Sequence, residues 1–192
     1  MSALLIVDVQ NDFIDGSLAV PGAEGILAQI NELILQRNWD LVVGSQDWHP
    51  LNHISFAETH GKQPFTEVSI SGETRMLWPV HCVQGSKGAE ISPLLDKNKV
   101  EGTHIEVDAY SAFDSTSHQL SSLLRQRNVS KLYICGLATD YCVRASALDA
   151  VTNGFETIVV TDCMRGVDER TSELALNEMS SAGVKLVKMN DI

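Results

Sequence analysis

Short apolar runs rich in β-branched residues alternate along the chain with segments whose apolar residues recur every three or four positions. The runs predict strands at residues 4–9, 41–46, 99–101 with an extension, 131–136, 157–162 and 184–189. Between the first two, Ile26, Leu27, Ile30, Leu33 and Ile34 form one amphipathic helical stripe. Val143, Ala147, Leu148 and Val151 form another, stopped by Asn153-Gly154. Helices over 120–127 and 169–181 complete the alternation. Such a pattern predicts a parallel sheet with helices on both faces, an α/β fold. Neither repeats nor linkers interrupt it, and 192 residues suit one domain over 1–192.

In sheets of this kind ligands bind outside the carboxyl ends of the strands. Asp8, Asp47 and the run Gly136–Cys142 fall at those ends, so the fold gathers them at one edge. Residues 50–84 break the alternation with a long stretch rich in His, Pro and Gly, predicted to be an irregular, functional loop.

Charge narrows the function. A net charge of −11, from 25 acidic and 14 basic residues, offers no basic stripe for nucleic acid or an anionic membrane. The N-terminus reaches Asp8 after a short apolar stretch without a basic lead, which predicts a strand, not a signal peptide, and a cytoplasmic protein. The four cysteines, Cys82, Cys135, Cys142 and Cys163, lack paired metal or redox spacing and are expected to stay reduced.

Two constellations carry chemistry. Asp47 and His49 alternate onto one face of an extended segment, with His53 four residues beyond and His81 in Trp78-Pro79-Val80-His81-Cys82. One carboxylate with imidazoles suits Zn²⁺, Fe²⁺ or Mn²⁺. Solvated loop histidines are the plainer reading of the same residues. The second is Gly136-Leu137-Ala138-Thr139-Asp140-Tyr141-Cys142-Val143, a strand end turning into a helix. Thr139 or Asp140 is the expected N-cap, which puts Cys142 in the first turn, where free N–H groups favour a thiolate and could hold an oxyanion. Asp8 is the expected proton partner.

With these residues in view, the chain resembles a known family. Asp8-Val9-Gln10-Asn11-Asp12-Phe13, Asp47-Trp48-His49-Pro50, Trp78-Pro79-Val80-His81-Cys82, Tyr110-Ser111-Ala112-Phe113 and the Gly136–Val143 run resemble, in order, the motifs of the nicotinamidases, isochorismatase-like cysteine hydrolases. The resemblance implies a doubly wound, Rossmann-like sheet of six parallel strands and hydrolysis of nicotinamide to nicotinate and ammonia, in NAD salvage. It implies that Cys142 attacks the carboxamide after passing its proton to Asp8. Asp47, His49 and His81 would hold one divalent metal ion, zinc first, with iron or manganese as alternatives, and His53 would be a fourth ligand or stand behind them. The pyridine nitrogen would take one metal position, so pyrazinamide-like amides are expected substrates. Phe13, Trp78 and Tyr110 would wall the ring. A cis Leu137-Ala138 peptide would aim the Ala138 N–H, with that of Cys142, at the oxyanion. A homo-oligomer is compatible with the resemblance.

One position departs. The family has a lysine followed by glycine shortly before the Tyr-Ser-Ala-Phe motif, and alignment through Gly102 and Asp108 puts Glu101 there. Glu101 is an inactivating or impairing substitution, a protonated hydrogen-bond donor, or the sign of a slipped register in which Lys99 supplies the charge. The alternatives to a nicotinamidase are therefore a silent or impaired binding protein and a related cysteine amidohydrolase for carbamoyl or ureido substrates.

Overall fold

A computed structural model describes residues 1–70, 72–96, 101–105, 109–114 and 119–192. Six strands form the main sheet: β1 (Ser2–Val7), β2 (Leu41–Asp47), β5 (Glu101–Ile105), β6 (Lys131–Leu137), β7 (Glu156–Arg165) and β8 (Lys185–Val187). Their spatial order is β5-β2-β1-β6-β7-β8, and every pair is parallel. Counting only these strands, the order is 3-2-1-4-5-6, the doubly wound arrangement expected from the alternation.

Alternating side chains of β1 feed two cores. Ala3, Leu5 and Val7 pack on one face with Leu120 and Leu124 of α3 (Gln119–Gln126), Ala147 and Ala150 of α4 (Arg144–Thr152), and Ala175 and Met179 of α5 (Glu169–Ser181). Leu4 and Ile6 pack on the other with Leu27, Ile30, Leu33 and Ile34 of α2 (Leu27–Gln36). Two buried faces explain why the strands read as continuous apolar runs. Among the described residues no helix is long and apolar enough to cross a membrane.

Several boundaries differ from expectation. The first strand ends at Val7, because Asp8 takes a left-handed backbone (φ 47°) that breaks the ladder. The third begins at Glu101 and runs to Ile105, while Lys99 lies outside the described residues. The fifth extends to Arg165 and the last is only three residues long. The segment 50–84 is not wholly irregular: β3 (Thr66–Ile70) and β4 (Glu73–Leu77) form an antiparallel hairpin, with Val68 opposite Arg75 and Thr66 opposite Leu77. Five-residue strands carrying several polar positions give little periodic signal.

The order reverses between β1 and β6. Gly136, on β6, has φ 113°, and a Cβ there would run into the Val7 carbonyl, so only glycine lets the two strands meet at this level. Asp8 leaves β1 and Ala138–Cys142 leave β6 on either side of that switch point.

Candidate active site

Asp8 is fully buried beneath the carboxyl edge of the sheet. The Ser45 hydroxyl donates to its Oδ1 (2.7 Å) and accepts from its backbone N–H (3.3 Å), which fixes the carboxyl group. Oδ2 has no hydrogen-bond partner among the described residues. Carboxylate oxygens of Asp8 and Asp47 and the Cys142 sulfur all lie within 4.8 Å of one another. Burial, reinforced by Asp47, pushes Asp8 up to about 8, against the lowering effect of the Ser45 and Cys142 side chains.

Cys142 does not open an α-helix directly. It sits in a π-helical turn, Thr139–Val143, that leads into α4, and the Tyr141 and Val143 N–H groups both return to the Ala138 carbonyl (3.1 and 3.0 Å). No side chain caps the turn, so neither Thr139 nor Asp140 is the expected N-cap. Asp140 is turned away, accepting from the N–H groups of Val167 (3.0 Å) and Asp168 (3.2 Å) and from the Thr171 hydroxyl (2.6 Å). It ties the turn to the start of α5. The thiolate that a helix N-terminus favours is opposed here by the surroundings of the sulfur. Burial, with the nearby Asp8 and Asp47 charges, pushes the Cys142 thiol well up, and the Ala138 N–H acts the other way. The Leu137-Ala138 peptide is cis, as expected. Cys82, Cys135 and Cys163 are buried free thiols, in keeping with a reduced chain.

Asp47 ends β2, and His49 and His81 meet it from two loops. His49 Nε2 lies 3.4 Å and His81 Nε2 3.7 Å from Asp47 Oδ2, and all three side chains are buried. His81 Nδ1 stands 2.7 Å from the Pro79 carbonyl, which can only accept, so Nδ1 carries the proton and the Nε2 lone pair faces the carboxylate. A lone pair aimed at a carboxylate oxygen across 3.7 Å is an arrangement that a cation between them satisfies. The donor set, two imidazoles and one carboxylate, fits a divalent metal ion. Burial alone would raise Asp47, but the His49 and His81 side chains that face it outweigh burial and hold the carboxyl below the usual range. His53 is outside this cluster. It stacks on His49 (4.1 Å between ring centroids) and pairs its Nδ1 with the Ser55 hydroxyl (2.8 Å).

These groups meet at a cavity of about 670 Å³ lined by Phe13, Asp47, His49, His81, Trp78, Tyr110, Ala138 and Cys142. Trp78 Nε1 donates to the Tyr110 hydroxyl (3.2 Å), and both rings contact Tyr141. Phe13 packs against His81. All the residues expected at the site are therefore brought together, except that Asp8 lies under the cavity wall and does not line it. Sequence reasoning missed Ser45, Tyr141 and Phe56. Phe56, fully buried, has ring contacts with His49, His53 and His81. It lies in a segment without periodicity, whereas Ser45 follows two apolar residues and a glycine on β2 and could have been noticed as a polar residue in a buried strand.

A buried thiol and carboxyl under one cavity, beside a three-donor cluster at the switch point of a parallel sheet, are the equipment of an amidohydrolase. The sequence profile of the isochorismatase domain family matches residues 2–191, and the chain belongs to that family. It is 43% identical to the nicotinamidase of Escherichia coli (strain K12), over 98% of this chain and 95% of that one. A solved nicotinamidase–pyrazinamidase of Acinetobacter baumanii is 41% identical with a TM-score of 0.90, covering 99% of this chain and 97% of its own. The pyrazinamidase of Pyrococcus horikoshii, solved in complex with zinc, is 39% identical with a TM-score of 0.81, covering 97% and 98%.

Proposed function

We propose that this chain, acting as one domain, is a metal-dependent nicotinamidase that hydrolyses nicotinamide to nicotinate and ammonia through a thioester on Cys142, in NAD salvage. The observation that carries the reading is the Cys142 thiol held within 4.8 Å of a carboxylate oxygen of Asp8, in a cavity that also presents Asp47, His49 and His81. Similarity to nicotinamidases over nearly the whole chain supports the substrate.

In this reading Asp8 Oδ2, the oxygen left open by Ser45, takes the Cys142 proton as the sulfur attacks the amide carbon. The N–H groups of Ala138 and Cys142 hold the oxyanion. The C–N bond breaks as Asp8 returns the proton to the leaving ammonia. Asp8 then takes a proton from water, which attacks the thioester, and Cys142 regains its thiol as nicotinate leaves. Phe13, Trp78 and Tyr110 wall the flat ring. Asp47, His49 and His81 would hold the divalent ion, zinc by the chemistry of the donors, with iron or manganese as alternatives. When bound, it supplies a positive charge and open positions for water or the pyridine nitrogen. That donor set disfavours the carbamoyl or ureido reading, which does not call for a metal.

The base form of Asp8 is the carboxylate, so kcat/KM falls as pH drops through its pKa. Burial sets that pKa at about 8, and a cation held by Asp47 pulls it down. The acid limb of the kcat/KM profile is therefore expected between the ordinary carboxylate value of about 4 and about 8. A limb at or below the ordinary value contradicts the role given to Asp8.

A second reading concerns rate. Glu101 opens β5 opposite Val43, two residues before Thr103 meets Ser45, the residue that anchors Asp8. By the family pattern this is the lysine position, and an anion there disfavours both the thiolate and the oxyanion. Ammonia and nicotinate released from nicotinamide test both points. Equimolar release is expected from the wild type, and Glu101→Lys is expected to raise kcat by on the order of 10²-fold. Absence of release by both proteins, each loaded with metal, defeats the nicotinamidase reading. Release by the wild type, with no gain in Glu101→Lys, defeats only the assignment of Glu101.

A further inference from the structure

The turn after β1 reaches the metal cluster twice more, through side chains that touch no ligand atom. Gln10 is fully buried, and its amide brackets the Asp47 peptide: Oε1 accepts from the Asp47 N–H (2.8 Å) and Nε2 donates to the Asp47 carbonyl (2.8 Å). Nε2 donates also to the Ala89 carbonyl (2.8 Å). The amide thus uses its acceptor and both of its N–H bonds, two of the three on one residue, and that residue supplies the cluster's only carboxylate.

Asp12 does the equivalent for the other side. Its Oδ2 accepts from the Cys82 N–H (2.7 Å), and Oδ1 accepts from the Ser17 N–H (3.3 Å). Cys82, next to His81, is a buried non-glycine residue with φ 46°, a conformation that persists only where its surroundings fix it. The Cys82 carbonyl in turn accepts from the His49 N–H (2.9 Å), so the Asp12 contact passes to both histidine loops. Side chains on Gly16 or Gly88 would collide with Asp12, so the two glycines make room for its carboxyl.

We propose that Gln10 and Asp12 are positioning residues of the metal site. Gln10 fixes Asp47 through its peptide, and Asp12 fixes His81 and His49 through the Cys82 peptide. The inference rests on the reading of Asp47, His49 and His81 as metal ligands. It makes the turn that carries Asp8 a single template: Asp8 for proton transfer, Gln10 and Asp12 for the metal, every second residue. Groups that orient ligands typically set metal affinity by about 10–100-fold when removed.

The test is the Zn²⁺ dissociation constant at 25 °C, by competition with a chromophoric chelator, together with the melting temperature of each metal-free protein. Gln10→Met keeps the volume and loses all three bonds. Asp12→Ala loses the Cys82 contact, and Asp12→Asn keeps an acceptor for it. Gln46→Met is the control, because the Gln46 amide donates to the same Ala89 carbonyl (2.9 Å) without touching the Asp47 peptide. Gln10→Met and Asp12→Ala are expected to weaken Zn²⁺ binding by about tenfold or more. Asp12→Asn is expected to stay near the wild type, and Gln46→Met to be unchanged. Wild-type affinity in folded Gln10→Met and Asp12→Ala overturns the proposal, as does equal weakening in Gln46→Met. If Gln10→Met fails to fold, the Asp12→Ala and Asp12→Asn pair decides on the same criterion. A purely structural role lowers the metal-free melting temperature and leaves the dissociation constant alone. Failure of the wild type itself to bind Zn²⁺, Fe²⁺ or Mn²⁺ overturns the underlying metal reading instead.

Discussion

Cys142→Ala is expected to lower kcat for nicotinamide by on the order of 10⁴-fold or more, the scale seen when a nucleophile is removed from a group that acts as a unit. The size follows from what remains. Without the sulfur no thioester forms, and Asp8 could only activate water toward an amide, a poorer attack on a poorer electrophile. Metal content is expected to be unchanged, because Cys142 lies outside the Asp47/His49/His81 cluster. The measurement is ammonia release at saturating nicotinamide, beside metal analysis of the same sample. Turnover within tenfold of the wild type would remove Cys142 from the mechanism.

Asp8→Asn is expected to cost about 10³–10⁴-fold in kcat, at the upper end for loss of a positioned acid–base group. The change is nearly isosteric, and Ser45 can still donate to the amide oxygen in place of Oδ1, so the loss is one of proton acceptance and not of packing. The thiol and the metal cluster both survive it. Alkylation of Cys142 by iodoacetamide gives the independent readout: with the carboxyl gone, its pH dependence should lose any step due to Asp8. Unchanged kcat, or an unchanged pH profile, would assign the base elsewhere.

How far the sequence went is clearest from these two residues. The place of Cys142 at the strand end after β6 is legible because the amphipathic stripe from Val143 to Val151 marks where the helix must follow. Its local geometry was not legible. Nothing in the order of residues distinguishes a π-helical turn from an α-helical first turn, and Asp140 was misread as a cap because its true partners, at Val167, Asp168 and Thr171, are far along the chain. The pull of a helix N-terminus toward a thiolate is local, whereas burial and the two carboxylates that oppose it come from other strands.

The parallel sheet was legible because strands buried on both faces leave long apolar runs, as β1, β2, β6 and β7 do. The hairpin β3–β4 was not, since its polar strands lack that signature. Gln10 shows the same limit at the site. Its position in Asp8-Val9-Gln10-Asn11-Asp12-Phe13 was conspicuous, but its hold on Asp47 depends on a left-handed Asp8 and on two loops meeting it from elsewhere. Spacing can nominate such a residue; only the assembled fold tells what it grips.

The most direct test of the central claim is a single-turnover reaction of metal-loaded enzyme with nicotinamide, quenched rapidly in acid and digested for mass spectrometry. The account predicts a nicotinoyl group on the peptide that contains Cys142, rising and falling before nicotinate accumulates, and no such adduct in Cys142→Ala. Nicotinate formed at the wild-type rate with no nicotinoyl group on any cysteine at any quench time would contradict it.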